Sequence, residues 1–167
     1  MKKEFIESIG KEPVVGIFGD TVFPNKATGE GFKEKTTVIA ELKKLLLEIK
    51  PKKVYVIPHR GISLTSLLIL QYLNIPYTLV NPYKGYFNNI VQKDKIKVLL
   101  GMENSSAIVT MGNPPKNVED SVKAFNASED FIIERSDLII SISGDNPGTQ
   151  IKNLEKKLPE SNANVIF

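Results

Sequence analysis

At 167 residues, with 41% apolar and 25% charged side chains, the chain has the size and composition of one globular domain with its own core, and disordered, collagen-like and fibrous classes are excluded. It has no cysteine, which removes disulfides and thiolate-held metal, and its single histidine has no companion cluster, so neither metal nor cofactor is expected. The net charge of +3, with a pI of about 8.9, is mild and its lysines are dispersed along helical patterns such as Lys43-Lys44 and Lys156-Lys157, so nucleic acid is not an expected partner.

Residues 1–9 are charged and lack the apolar core of a secretory leader, and no apolar run approaches the length of a membrane span. A cytoplasmic protein without a membrane partner is expected. Short β-branched runs then alternate with segments of helical period, the pattern of βα units and a parallel sheet. The first run is Val14-Val15-Gly16-Ile17-Phe18, ending in Gly19-Asp20. A helix over 37–49 follows, with Val38, Ile39, Leu42, Leu45, Leu46 and Ile49 at helical spacing and Pro51 as its stop. The second strand, Val54-Tyr55-Val56-Ile57, leads through Pro58-His59-Arg60-Gly61 into an apolar helix over 63–73, with Ser63 as its expected N-cap. Tyr77-Thr78-Leu79-Val80 is the third strand, and a helix is expected over 95–102. Ala107-Ile108-Val109-Thr110-Met111 is the fourth, ending at Gly112-Asn113, and two helical segments, 118–125 and 128–135, follow it. The fifth and most apolar strand, Leu138-Ile139-Ile140-Ser141-Ile142-Ser143, leads through Gly144-Asp145 to a helix that Gly148-Thr149 opens and Pro159 ends; residues 164–167 are a candidate sixth. The expected fold is a single Rossmann-like, three-layer α/β domain with a mostly parallel sheet of five to six strands.

In such sheets ligands lie outside the carboxyl ends of the strands, and here the glycines and small polar residues gather at those ends. Gly19, Asp20 and Thr21 form the first candidate loop, in a chain that matches neither the dinucleotide glycine pattern nor the phosphate-binding P-loop. His59, Arg60, Gly61 and Ser63 form the second. Arginine offers a planar donor fork to phosphate or carboxylate, and the free amides of the next helix add positive potential. The third and best signal is the turn Gly144-Asp145-Asn146-Pro147-Gly148-Thr149-Gln150, where Gly144 and Gly148 permit close approach and Asn146, Thr149 and Gln150 offer polar groups. Pro82-Tyr83 and Gly112-Asn113 end the third and fourth strands, and the aromatic stretch from Tyr83 through Tyr86 and Phe87 to Asn89 offers a platform on which a base can stack.

These residues, taken in order, resemble the SLOG superfamily, the Rossmann-like group that includes DprA and the LONELY GUY phosphoribohydrolases, and most closely its small stand-alone bacterial and phage members. Val15 to Asp20 looks like the family's first strand and turn. Pro58-His59-Arg60-Gly61-Ile62-Ser63 stands where the family has Gly-Ala-Arg-Gly-Ala-Asp. Ser136-Asp137-Leu138-Ile139-Ile140 followed by Asp145-Asn146-Pro147-Gly148-Thr149 is similar to its Ser-Asp strand and Gly-Gly-x-Gly-Thr turn. The departures are specific. Ser63 replaces an acidic residue, Asp145-Asn146 replaces a glycine pair, and Lys152 stands where the phosphoribohydrolases carry a glutamate. Their arginine-lysine pair is also missing, with Arg135 in a different register.

The resemblance thus implies a nucleotide cradle without the family's hydrolytic groups, and a homodimer. The first expectation is a sensor or sequestering protein for a nucleotide or a derivative such as an ADP-ribose-like or cyclic-nucleotide signal. The alternative is a nucleotide N-glycosidase or deoxyribosyltransferase using another carboxylate, with Asp20, Asp145 and Glu103 as candidates. A DprA-like nucleic-acid binder is the second alternative.

Overall fold

In a computed structural model the five apolar runs pair side by side into one sheet. The structure describes residues 10–19, 30–90, 92–143 and 149–158, apart from the side chains of 30–35, 93, 149 and 150. The strands are β1 (Val14–Gly19), β2 (Lys53–Val56), β3 (Tyr77–Asn81), β4 (Ala107–Thr110) and β5 (Leu138–Ile142). Between them run α1 (Glu30–Ile49), α2 (Ile62–Tyr72), a 3-10 turn (Tyr86–Asn89), α3 (Gln92–Glu103), α4 (Val118–Glu134) and finally α5 (Thr149–Lys157). The strand order is β4-β3-β2-β1-β5, and every neighbouring pair is parallel.

The layering follows from the handedness of the crossovers. From β1 to β4 each connection moves one strand in the same direction, so right-handed crossovers hold α1, α2 and α3 on one face. The return from β4 to β5 runs the opposite way, which puts α4, and α5 after it, on the other. Side-chain alternation serves both faces. Val15, Ile17, Val54, Val56, Leu79, Leu138 and Ile140 pack under α1 to α3, while Phe18, Ile57, Val80 and Ile139 pack under α4 and α5. Burial on two faces is why these strands read as continuous apolar runs rather than as alternating ones. This is an α/β, Rossmann-like fold.

β1, paired on both edges, is approached closely on both faces. At Gly16 a Cβ would stand 2.6 Å from Ile132 Cγ2 and 3.0 Å from Ser136 Oγ, so α4 packs directly on its backbone. At Gly19 a Cβ would fall against Ile62, 2.5 Å from its Cγ2 and 3.3 Å from the Ser63 amide nitrogen. The body that comes close to the Gly19 backbone is therefore the first turn of α2. At the opposite edge of the sheet Asp137 ties β1 to β5: its Oδ2 accepts from the Val14 amide at 2.8 Å, and its own amide donates to the Val14 carbonyl at 2.8 Å.

Several boundaries differ from the sequence reading. The first helix begins at Glu30 rather than 37, because its opening stretch, Glu30-Gly31-Phe32-Lys33-Glu34-Lys35, has no apolar periodicity to announce it. Ser63 is not an N-cap. Gly61 holds that position, with φ 90° and ψ −132°, and Ser63 is buried in the first turn. The segments 118–125 and 128–135 are one helix, α4, capped by Asn117, whose Oδ1 accepts from the Asp120 amide at 2.8 Å. Residues 164–167 lie outside the described residues.

Candidate functional site

The strand order reverses at β1: β2 leaves it on one side and β5 returns on the other. Gly19 pairs with Ile142, so the segments that follow β1 and β5 start next to each other. In an open α/β sheet this reversal opens a crevice outside the carboxyl ends. Asp20, Thr21, Gly144, Asp145, Asn146 and Gly148 belong to those segments and lie outside the described residues. Thr149 and Gln150 form the start of α5, with its N-terminus at this edge, and their side chains are likewise not described.

The end of β2 supplies the flank. Gly61 sits in a region of positive φ that favours glycine, and it lets α2 start abruptly with no side-chain cap on its first amides. Thr65 turns back to the same residue, its amide and its Oγ1 both donating to the Gly61 carbonyl, at 3.1 and 3.0 Å. Arg60 is exposed beside these amides and has no ion-pair partner among the described residues. A helix N-terminus next to an unpaired guanidinium is an arrangement that attracts an anion.

His59 is half-buried. Its Nδ1 lies 2.8 Å from the Tyr86 hydroxyl, and its ring meets Phe125 edge-on at 5.4 Å. Burial, and after it the positive charge of Arg60, lower the His59 pKa, so the ring is neutral at pH 7. Burial, and next the Tyr83 phenol, push the Tyr86 hydroxyl above its ordinary range, so it keeps its proton. The tautomer sets the direction of this bond: a Tyr86 hydroxyl that donates to Nδ1 leaves the ring proton on Nε2, and an Nδ1–H that donates to Tyr86 leaves Nε2 an acceptor.

His59 also lines a cleft of about 270 Å³ with Ser121, Phe125, Asn126 and Glu129 of α4 and Asn153 of α5. The cleft thus joins the segment after β2 to α4 and α5, on the face of the sheet that α4 and α5 cover. Glu129 is the most informative member. Its side chain is 3% exposed, and Lys157 of α5 holds it with Nζ 3.1 Å from Oε2. The same ammonium donates to Asp130 Oδ1 at 3.1 Å and to Asn126 Oδ1 at 3.4 Å.

Sequence reasoning missed Glu129, Asn126, Ser121 and Asn153. The signal was present: Phe125, Glu129 and Ile132 share one stripe of α4, so a carboxylate stands where helical periodicity calls for an apolar residue. Reading α4 as two pieces hid it.

Other expected residues lie elsewhere. Pro82 is buried behind β3, and Tyr83 and Tyr86, each 8% exposed, turn their rings on one another at 5.3 Å while Tyr86 also meets Phe125 at 5.6 Å. These tyrosines are packing residues and offer little free ring for a base. Gly112 and Asn113 end β4, three strands and about 14 Å from β1. Glu103 is exposed at the C-terminus of α3, at the amino end of the sheet, which removes it from the candidate carboxylates. Lys152 is exposed on α5. A larger hollow of about 520 Å³ lies between the 3-10 turn and α3, lined by Gly85, Phe87, Asn88, Lys95 and Val98 among others. It belongs to the β3 side, away from the strand reversal.

Among the described residues no group of three or more His, Asp or Glu side chains is arranged to hold a metal ion, and no helix is long and apolar enough to cross a membrane. Compared with protein-family models and with curated proteins, the chain matches none.

Proposed function

We propose that the chain binds a nucleotide or a nucleotide-derived small molecule, such as an ADP-ribose-like or cyclic-nucleotide signal, and acts as a sensor or sequestering protein of the SLOG type. The observation that carries this reading is the strand reversal at β1, with the β1 and β5 ends side by side and α2 and Arg60 flanking them. Arg60 and the first amides of α2 supply the positive potential that a phosphate needs, and the cleft beside His59 adds hydroxyl, amide and carboxylate groups. Thermal melting against millimolar nucleoside monophosphates, ADP-ribose and cyclic dinucleotides tests it. A bound ligand at about 100 times its Kd adds roughly 2.7 kcal/mol to stability, and Arg60→Ala weakens that binding. No shift with any of these ligands refutes the reading.

A second reading, cleavage or transfer at the N-glycosidic bond, draws on Glu129, because that chemistry needs a carboxylate near the anomeric carbon. Release of free base from nucleoside monophosphates, abolished by Glu129→Gln, would establish it.

A further inference from the structure

We infer that two copies of this chain join at the β4 edge of the sheet and the outer stripe of α3 beside it, β4 pairing antiparallel with β4 of the second copy. The inference stands on this surface alone and is independent of the nucleotide reading. A parallel sheet is ordinarily covered on both faces, and β1, β3 and β5 obey that rule almost throughout. β4 does not. Ala107 and Ile108, which point to opposite faces, are both exposed, as is Thr110. Among the described residues β4 has a strand neighbour, β3, on one edge only. Free edges are usually blunted by charge or proline, and Ala107-Ile108-Val109-Thr110 has neither. The Ser106 amide donates to the Tyr77 carbonyl, so by alternation the backbone groups of Ala107 and Val109 point away from β3 to the free edge.

α3 extends this surface. Gly101 lies against α2, where an added Cβ would stand 3.0 Å from Leu67 Cδ1. Leu99 is two residues, about 200°, round the helix from it, hence on the side turned away from α2 and toward the free edge. Ile96 and Leu100 flank Leu99 on the same stripe, and Glu103 ends it. Ile108 pairs with Leu79, which packs under α1 to α3, so Ile108 stands on the α3 face of the sheet. Ile96 is 70% exposed, Leu99 60%, Leu100 43% and Ile108 42%. Together they present about 400 Å² of largely apolar surface, the size at which a contiguous patch marks an interface.

A second copy fits this surface in area, symmetry and charge. An interface of about 1,200–1,600 Å² is roughly 57% apolar, or about 700–900 Å², and two such patches supply about 800 Å². A two-fold axis perpendicular to the sheet reverses strand direction and keeps the faces, so β4 meets its copy antiparallel and the two α3 stripes meet on one side. The free groups of Ala107 and Val109 are symmetric about Ile108. Ala107 of each copy therefore pairs with Val109 of the other, and the two Ile108 side chains meet at the axis in a non-hydrogen-bonded pair, where side chains come closest. The two α3 helices run antiparallel, which sets Glu103 at the end of each beside the positive N-terminal pole of the other. β4 itself brings no charge to the join.

The test is the mass of the full chain in solution, by light scattering and sedimentation velocity, for the wild type, Ile108→Lys, Leu99→Glu and, on α1 beyond α2, the control Leu47→Lys. Interfaces of this area bind at micromolar Kd or tighter, so the wild type is expected at twice 18.6 kDa by about 100 µM. Ile108→Lys sets two ammonium groups face to face at the axis, and Leu99→Glu charges the helix stripe. Each should weaken dimerisation about tenfold or more. Both positions are exposed in the single copy, so the melting temperature of dilute protein should not move. Leu47→Lys should leave the dimer intact. Hydrogen exchange at the Ala107 and Val109 amides needs no variant: their protection should grow with protein concentration. A wild-type mass of 18.6 kDa at about 100 µM overturns the inference, whether the edge is then open or covered by another part of the chain. A dimer that survives either variant overturns it too, as do amides that exchange alike at all concentrations, or assembly that grows without closing at two copies. Should Ile108→Lys fail to fold, Leu99→Glu and the exchange measurement decide.

Discussion

Replacing Lys157 by methionine keeps a long apolar stem against α4 but withdraws the ammonium from a carboxylate that is 3% exposed. Breaking a fully buried pair from one side costs about 3–5 kcal/mol, because the remaining charge is left without compensation. Lys157 is 29% exposed, so water reaches the gap, and the expected cost falls to about 2 kcal/mol. Asp130, 55% exposed, adds little. In urea, with a slope of roughly 2 kcal/mol per molar, the unfolding midpoint should drop by about 1 M with the slope unchanged. Burial works against the Lys157 ammonium, yet hydrogen bonds to Asp130 and Glu129 more than offset it and raise its pKa above 10.5. A raised folded-state pKa means that this contribution is complete below pH 10.5 and fades only as pH rises through the folded value. The deficit should therefore be constant between about pH 7 and 9. The double variant Glu129→Gln, Lys157→Met should recover most of the loss, since neither partner then leaves a buried charge. A midpoint for Lys157→Met within about 0.2 M of the wild type, or a double variant no more stable than the single one, refutes the reasoning.

Gly16→Ala sets a methyl group 2.6 Å from Ile132 Cγ2 and 2.8 Å from Ile139 Cδ1, against a fully buried wall, and should cost about 1–3 kcal/mol in a thermal or urea melt; an unchanged melt would show that α4 does not press on β1 as described. His59 has a folded-state pKa below its ordinary 6.5, so the unfolded chain takes up the proton first and the wild type loses stability as pH falls through the mid-sixes. His59→Gln should flatten the dependence of the melting temperature on pH between about 7.5 and 5.5 by under 1 kcal/mol, the ring being only half-buried; identical slopes for the two proteins would contradict the burial of this ring.

The sheet was legible in the sequence because a strand covered on both faces must be apolar along its whole length, and Val15-Gly16-Ile17-Phe18 and Leu138-Ile139-Ile140 have no other comfortable environment. Helix ends were less legible. Polar first turns, as at Glu30, carry no periodicity, and Asn126-Ala127 in the middle of α4 looks like a break until the packing of Phe125 and Ile132 on the sheet carries the helix through it. The second loop was read correctly as a helix start but with the wrong cap, because Ser63 has the preferred chemistry while Gly61 has the required backbone. Gly19 shows a deeper limit: sequence reveals that something must come close to its backbone, and only the fold shows that this is Ile62 and Ser63. For the same reason the tyrosines of the 3-10 turn could be read as a platform, whereas their rings are spent on one another and on Phe125.

The hydrogen bond between Val14 and Asp137 joins residues 123 positions apart. While the ribosome is still making the chain, β1 to β4 are present long before β5 exists, and β1 must wait with one side of its backbone unpaired. The strand reversal is thus assembled from distant parts of the sequence, and a growing polypeptide acquires it only when β5 arrives. Incomplete chains of this protein can carry most of the sheet and still lack the strand reversal.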